Sequence, residues 1–276
     1  MKRDLLLEIG VEEMPSAFMA AALADLKKLA EQKFTACRVG FEKVNSLGTP
    51  RRLVLHVQGL EEKQQDAVIE NRGPKKASAF DQQGNPGKAA LGFARGQGID
   101  VADLEIRDVD GIEYIFAVKK ELGGTTVEVL PEILLDIINS LSFPKSMRWA
   151  YYQTRFARPI RWLLALYGDQ TVTIQIENVQ SSNESYGHRF LAPESFAVNN
   201  IEEYFAQLRQ RYVIVDHNER KNMIWEQVQM TARQAGGQAM VNDDLLEEVT
   251  FLLEYPTAFA GSFSTSYLDV PPEVLT

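Results

Sequence analysis

The chain has 276 residues, with 29 Lys and Arg against 38 Asp and Glu, giving a formal net charge of −9. Its 45% hydrophobic content suffices for a packed core and excludes a disordered, collagen-like or disulfide-stapled chain. No apolar run approaches the roughly 20 residues that a bilayer-spanning helix needs, so no membrane segment is predicted. The single cysteine, Cys37, permits no intrachain disulfide and fits a reducing cytoplasm. Met1-Lys2-Arg3-Asp4 leads into a short apolar stretch interrupted by Glu8, unlike a secretory signal.

Residues 5–9 read as a buried strand that Gly10 ends. Pro15 suits the first turn of a helix, where its missing N–H costs nothing, and Glu12 and Glu13 lie at the positive end of that helix dipole. Met19, Leu23, Leu26, Ala30 and Phe34 recur at steps of three and four, as on an amphipathic helix of about five turns. Residues 52–58 alternate, with Leu53, Leu55 and Val57 on one strand face and Val54 and His56 on the other. Six glycines and two prolines between Asn71 and Gly98 predict mostly loop. Ile112, Tyr114, Phe116 and Val118 alternate as a further strand. Residues 127–141 read as a helix with Pro131 near its start. Residues 160–167 and 172–176 read as two strands joined by a turn at Gly168-Asp169.

Residues 200–211 are the next predicted helix and 212–215 a short strand. Asp216 with Glu219 forms a capping-box pattern for a helix that Gly236-Gly237 ends. Residues 243–254 read as a last helix, with Leu245, Val249 and Leu252 on one face and Tyr255-Pro256 as its stop. Pro50-Arg51-Arg52 and Pro159-Ile160-Arg161 each open a strand, a shared entry pattern. Strands and helices mix without regular alternation, which predicts an α+β fold of mixed sheets packed with helices.

The charge is sorted along the chain. After Arg233 there is no Lys or Arg while seven acids follow, leaving the other 31 acids against all 29 cations in residues 1–233. Between Phe143 and Trp162 lie Lys145, Arg148, Arg155, Arg158 and Arg161 with no acid, interleaved with Trp149, Tyr151, Tyr152 and Phe156. A second segment holds Arg72, Lys75, Lys76, Lys88 and Arg95 against Asp81 alone. Phosphate contact needs permanent cations, and arginine adds a planar fork. Unpaired bases stack on aromatic faces, so the first segment suits folded RNA with loops and ends. A solvated strand edge over buried aromatics accounts for the same residues, and the residues alone leave both readings open.

No metal or catalytic site is assigned. One Cys and three His, at 56, 188 and 217, offer no pair at ligand spacing, and Glu8, Glu12 and Glu13 read as helix-start acids. Residues 84–89 lack P-loop spacing and its Ser or Thr, and no G-x-S-x-G motif occurs. Tyr186-Gly187-His188-Arg189-Phe190 reads either as a cluster that contacts an oxyanion or as a packed loop whose His bonds backbone.

Several phrases occur in a characteristic order. They are residues 7–15 (Leu-Glu-Ile-Gly-Val-Glu-Glu-Met-Pro), Thr49-Pro50-Arg51-Arg52-Leu53, Arg72-Gly73-Pro74, residues 143–149 (Phe-Pro-Lys-Ser-Met-Arg-Trp), Phe156-Ala157-Arg158-Pro159-Ile160, Gly187-His188-Arg189-Phe190, and Glu247-Glu248-Val249 through Tyr255-Pro256. The ordered set resembles the bacterial glycyl-tRNA synthetase beta subunit family along essentially the whole chain. The resemblance implies an N-terminal fragment of a longer subunit. It implies a B3/B4-like α+β domain over residues 1–198, similar to that of the phenylalanyl-tRNA synthetase beta subunit. Residues 199–276 would then be a mostly helical extension toward further domains. It also implies a cytoplasmic heterotetramer in which an alpha subunit carries the aminoacylation site and uses ATP and Mg to join glycine to tRNA(Gly). No cofactor is expected in this segment. Its partners would be that alpha subunit, tRNA(Gly) and the rest of the beta subunit. The RNA-binding residues expected here are Lys145, Arg148, Arg155, Arg158, His188 and Arg189. The alternatives are an editing hydrolase with an activated water near His188, or a pure assembly scaffold. No residue set matches the phenylalanyl enzyme's editing site, and glycine, the smallest amino acid, is selected by steric exclusion with less need of editing.

Overall fold

A computed structural model describes residues 2–275 of the chain. The first strand, β1 (Lys2–Val11), is followed by helix α1 (Ser16–Ala36), then by β2 (Lys43–Thr49) and β3 (Arg52–Glu61). An inserted unit comprises β4 (Ala67–Lys75), α2 (Lys76–Ala79), α3 (Lys88–Gln97), β5 (Leu104–Val109) and β6 (Ile112–Glu121). Helix α4 (Thr126–Ser140) leads through a long connection to β7 (Ile160–Tyr167). Short strands β8 (Gln170–Thr171), β9 (Gln175–Ile176), β10 (Val179–Ser182), β11 (Glu184–Tyr186) and β12 (Ser195–Ala197) follow. The chain then continues through α5 (Ile201–Gln210), α6 (His217–Gln234) and α7 (Asp243–Thr250). The architecture is α+β with mixed and antiparallel sheets, as the unordered alternation of elements predicts.

Among the described residues the largest sheet has seven strands in the order β2-β3-β1-β7-β10-β9, with β8 paired to β7. Its neighbours are antiparallel except β10 beside β7. Period-two alternation gives the sheet two buried faces. Leu5, Leu7 and Ile9, with Leu53, Leu55, Val57, Leu163 and Ala165, meet Met19, Leu23, Leu26 and Phe34 of α1 and Leu134 and Ile137 of α4. Leu6, Val54, Leu164 and Leu166 face the other way, toward Tyr204 and Leu208 of α5 and the segment Val213 to Val215. The two strands with the shared Pro-x-Arg entry flank β1 on either side, so β3 and β7 reach it from opposite edges.

The second face carries a buried polar cluster inside an otherwise apolar layer. Glu8, fully buried, accepts hydrogen bonds from the Trp162 indole N–H, the Tyr204 hydroxyl and Ser185 Oγ, the last at 2.9 and 3.0 Å. Arg52, also fully buried, lies 3.9 Å from Glu8 and donates Nε to Glu254 at 3.1 Å and Nη1 to the Tyr186 carbonyl at 2.9 Å. Thr49 Oγ1 donates to the same Glu254 oxygen at 2.6 Å. Burial and then the Glu8 charge push the Tyr204 phenol well above its ordinary pKa, so it remains a donor. A fourth buried charge, Arg220, spends its guanidinium on the carbonyls of Thr250 (2.9 Å), Gly48 (2.8 Å) and Ile214, and burial pushes its pKa down to about 10.

Several sequence expectations are corrected by long-range packing. Gly10 does not end β1; it lies between Arg52 and Trp162, where the indole crosses so close that a Cβ would sit 1.9 Å from it. The glycine is there for clearance, not for a stop. Glu8 is no helix-start acid, because its partners lie on β7, β11 and α5. Much of the predicted loop from Asn71 to Gly98 is β4, α2 and α3, with Gly98 at φ 70 closing α3. That short helix buries only Ala90 and Ala94, the former packed with Ile115, so a weak sequence pattern sufficed. Strands β2 and β5 escape sequence detection because each is specified by its neighbour's ladder rather than by its own polar residues. Residues 212–215 form no strand; Tyr212 turns at φ 58, and Val213 and Val215 join the second core. After the short β8, Val172 N–H still binds the Ala165 carbonyl at 2.9 Å, but residues 172–174 are not strand, and β9 pairs with β10. Helix α7 stops at Thr250, and Leu245 and Leu252 face solvent.

The side chain of Asp216 caps α6 by accepting from Asn218 and Glu219 N–H, as its position predicts. Glu219 itself turns to Arg209. Beside this cap, the His217 ring tilts on Phe251 at 5.5 Å, and its Nδ1 is shut off from solvent without a partner. Burial first and Arg220 next hold this imidazole below the ordinary value of 6.5.

Two outcomes follow from this packing. Gly10→Ala should destabilise the fold by about 2–3 kcal/mol or more, as overpacking does, read as a lower urea midpoint. For His217 the unfolded chain protonates first, near pH 6.5, and so binds more protons than the native state below that pH. Stability should therefore be unaffected by His217 at pH 7.5 and fall as pH drops through about 6.5 toward the lower native pKa. His217→Gln should remove that part of the slope in urea titrations at stepped pH.

Candidate nucleic-acid interface

The connection between α4 and β7 carries the basic and aromatic run. Its two limbs meet in an antiparallel bridge, with Met147 N–H on the Phe156 carbonyl at 2.8 Å and the return bond at 3.2 Å. Phe143 packs edge-on against buried Phe156, centroids 4.7 Å apart, and Trp149 packs in part on the same core. Tyr151 stands at the tip, 99% exposed, where Ala150 adopts φ 49. The aromatics therefore divide: Phe156 and Trp162 are core, and Tyr151 is free to stack.

A carboxylate elsewhere fixes the returning limb. Glu177 accepts from Gln153 N–H at 3.1 Å, Thr154 N–H at 2.8 Å and Thr154 Oγ1 at 2.6 Å. The Thr154 hydroxyl and these amides hold the Glu177 carboxyl below its ordinary pKa. Lys145, Arg148 and Arg155 are exposed on this hairpin. Arg155 Nε donates to Ser146 Oγ at 3.2 Å, and among the described residues none of the three is paired with a carboxylate. The bridge sets Arg148 and Arg155 on facing limbs just beyond Met147 and Phe156, in a run that holds no acid.

The remaining expected residues lie elsewhere and do different things. Arg158 is half-buried and donates Nε to the Glu13 carbonyl at 3.1 Å and Nη1 to that of Ala157 at 2.9 Å, tying the start of β7 to the end of β1. Arg189 lies 3.6 Å from Glu12 and 3.4 Å from Glu13, and Arg161 shares Glu12 at 3.4 Å. His188 has the packed-loop arrangement: its Nδ1 accepts from Phe190 and Leu191 N–H at 3.2 and 3.3 Å, and its own N–H binds the Arg211 carbonyl at 2.9 Å. The turn it pins presents Phe190, 80% exposed, to solvent.

The structure adds residues that sequence reading passed over. Glu177 carried no local signal, since the limb it clamps lies more than twenty positions away. Arg51 was legible only as half of a strand-entry pair. Its guanidinium lies 5.6 Å from the Trp162 ring, and its Nε is shut off from solvent with no hydrogen-bond partner. The second basic segment falls in the inserted unit, where Arg72 lies 3.5 Å over the Tyr114 ring and Lys76 pairs with Glu113 at 2.9 Å. Among the described residues no group of three His, Cys, Asp or Glu gathers as a metal site would require, and no helix is long and apolar enough to cross a membrane.

Comparison with known proteins bears on the whole chain. The family model for the glycyl-tRNA synthetase beta subunit matches residues 5–276. The chain is 60% identical over its full length to the glycine–tRNA ligase beta subunit of Syntrophomonas wolfei, and 47% identical to that of Moorella thermoacetica. The same subunit of Syntrophus aciditrophicus is 48% identical. In each case the match covers all of this chain and 40% of the relative, so the chain spans well under half the length of the proteins it resembles. On a match of this extent and identity, the chain belongs to the glycyl-tRNA synthetase beta subunit family.

Proposed function

We propose that this chain serves glycyl-tRNA synthesis as a docking element for tRNA(Gly) within glycine–tRNA ligase, with the Lys145, Arg148 and Arg155 hairpin as its contact. On this reading the aminoacylation site, with its ATP and Mg, lies on a partner alpha subunit, and this segment positions RNA without taking part in the chemistry. The observation that carries the reading is the pair Arg148 and Arg155, held on facing limbs beside exposed Tyr151 without a carboxylate partner. Two exposed cations on facing limbs of one hairpin offer a phosphate contacts from both sides, and arginine suits that ligand by its planar fork. An exposed tyrosine at the tip offers a stacking face to an unpaired base. The −9 net charge does not oppose the reading, because seven of the acids lie beyond Arg233.

The intact protein tests this by tRNA(Gly) binding across a KCl series. Arg148→Gln with Arg155→Gln should weaken binding by about 10–100-fold and lower the slope of log K on log salt by roughly 1.5–2, one counterion's worth per lost phosphate contact. An unchanged slope would return both arginines to the role of a solvated edge. Glu177→Ala separates preorganisation from charge. Removing an acid beside a basic hairpin should tighten RNA binding if field alone matters. Loss of the clamp should instead weaken binding about threefold and speed hydrogen exchange at Gln153 and Thr154.

A further inference from the structure

At the end of the sheet where β1 exits, three backbone contacts gather two turns around one segment. Val11 N–H binds the Arg51 carbonyl at 2.8 Å, Met14 N–H binds that of Pro50 at 2.7 Å, and Glu12 N–H binds that of Pro159 at 3.1 Å. These contacts bring Arg51, Arg158, Arg161 and Arg189 to the flanks of Glu12 and Glu13. The two carboxylates are already engaged by Arg161 and Arg189, and Arg158 is spent on carbonyls. Arg51 is the member left over. No carboxylate pairs with it among the described residues, and its Nε is both buried and unpartnered. Burial pushes its pKa down most; Glu254 and Glu12 pull it up, and Arg52 and Arg189 press it down. A guanidinium in that position is held against Trp162 by geometry rather than by an acid.

Arg189, which pairs with Glu12 and Glu13 and whose charge also acts on Arg51, links this group to an aromatic face: its guanidinium lies 6.0 Å from the ring of Phe190, which the His188 turn presents at 80% exposure. A cation surplus beside a free aromatic face matches the two halves of a nucleotide, a phosphodiester for the fork and a base for the ring.

We propose that Arg51, with Arg189 and Phe190, forms a second RNA contact, separate from the hairpin, that takes one unpaired nucleotide: its phosphate on Arg51 and its base on Phe190. The proposal rests on the tRNA-docking reading and adds a site to it. Against a protein carboxylate as the ligand stands the ring: a side-chain acid would answer Arg51 but leave Phe190 without a counterpart.

The test is tRNA(Gly) binding to the intact protein by fluorescence polarisation across a KCl series, with four variants. Arg51→Gln should weaken binding roughly tenfold and lower the salt slope by about one. Arg51→Lys should keep the slope while losing part of the affinity, because charge is retained and the fork is not. Phe190→Ala, on an exposed side chain that the fold does not need, should weaken binding several-fold with the slope unchanged. The fourth variant, Arg148→Gln with Arg155→Gln, reports on the hairpin alone. If that variant binds poorly while Arg51→Gln and Phe190→Ala bind as the unaltered protein does, the second contact is overturned and the docking reading stands. If all variants bind alike, both fall. If Arg51→Gln loses co-elution with the alpha subunit at unchanged tRNA affinity, Arg51 pairs with a protein acid and the proposal is overturned. Should Arg51→Gln lower the thermal midpoint, Phe190→Ala decides: unchanged tRNA binding overturns the site, and weaker binding at constant slope supports it.

Discussion

A carboxylate buried in the middle of a β-strand has to be answered by the fold, and Glu8 is answered from three directions. Its oxygens take donors from β7, β11 and α5, and it lies 3.9 Å from Arg52 on β3. Arg52 in turn reaches Glu254, far along the acidic end of the chain. With Arg220 nearby, the buried charges are two acids and two arginines, so the layer is neutral as a whole. Removing one member of such a set would leave a charge without compensation, a loss of about 3–5 kcal/mol in comparable sites. Leucines alone would have made a greasy face that accepts many registers. Glu8 accepts one arrangement of β1, β3, β7 and α5 and penalises the others.

That constraint decides where several of the candidate interface residues stand. Tyr186, whose carbonyl Arg52 holds, directly precedes the Gly187-His188 turn that puts Arg189 and Phe190 at the surface. Trp162, bonded to Glu8, is also the ring against which Arg51 lies. Gly10 gives the indole room to cross β1. The polar core and the basic surface are therefore successive layers of one construction, with the tryptophan shared between them. The hairpin of Lys145, Arg148 and Arg155 is positioned independently, by Phe143 and Phe156 in the first core and by the Glu177 clamp.

The parts of this arrangement differ in how openly the sequence declares them. Alternation in residues 52–58 and the three-and-four spacing from Met19 to Phe34 report local geometry, so β3 and α1 were legible. The cap at Asp216 was legible for the same reason, since a cap and its amides lie within three residues. Within the inserted unit only β6 was, from the alternation of Ile112 to Val118; glycines and prolines between Asn71 and Gly98 signal turns whether or not a neighbouring strand completes a ladder. Among the candidate site residues, the acid-free run marked Lys145, Arg148 and Arg155 as a group. Yet Arg158, in the same run, and His188, outside it, are engaged with the backbone.

By itself the sequence determined the α+β class, the two faces of β3 and the order of motifs that marks the family, since each is written in neighbouring residues. It also held the uneven distribution of charge, although the sum of −9 concealed it. Only tertiary structure decided that Glu8 is a structural acid, that Gly10 yields space to Trp162, and that the buried Nε of Arg51 has no hydrogen-bond partner among the described residues. Each of those facts depends on contacts between residues tens to hundreds of positions apart. A charge or a glycine does not reveal its role until the chain brings its neighbours to it.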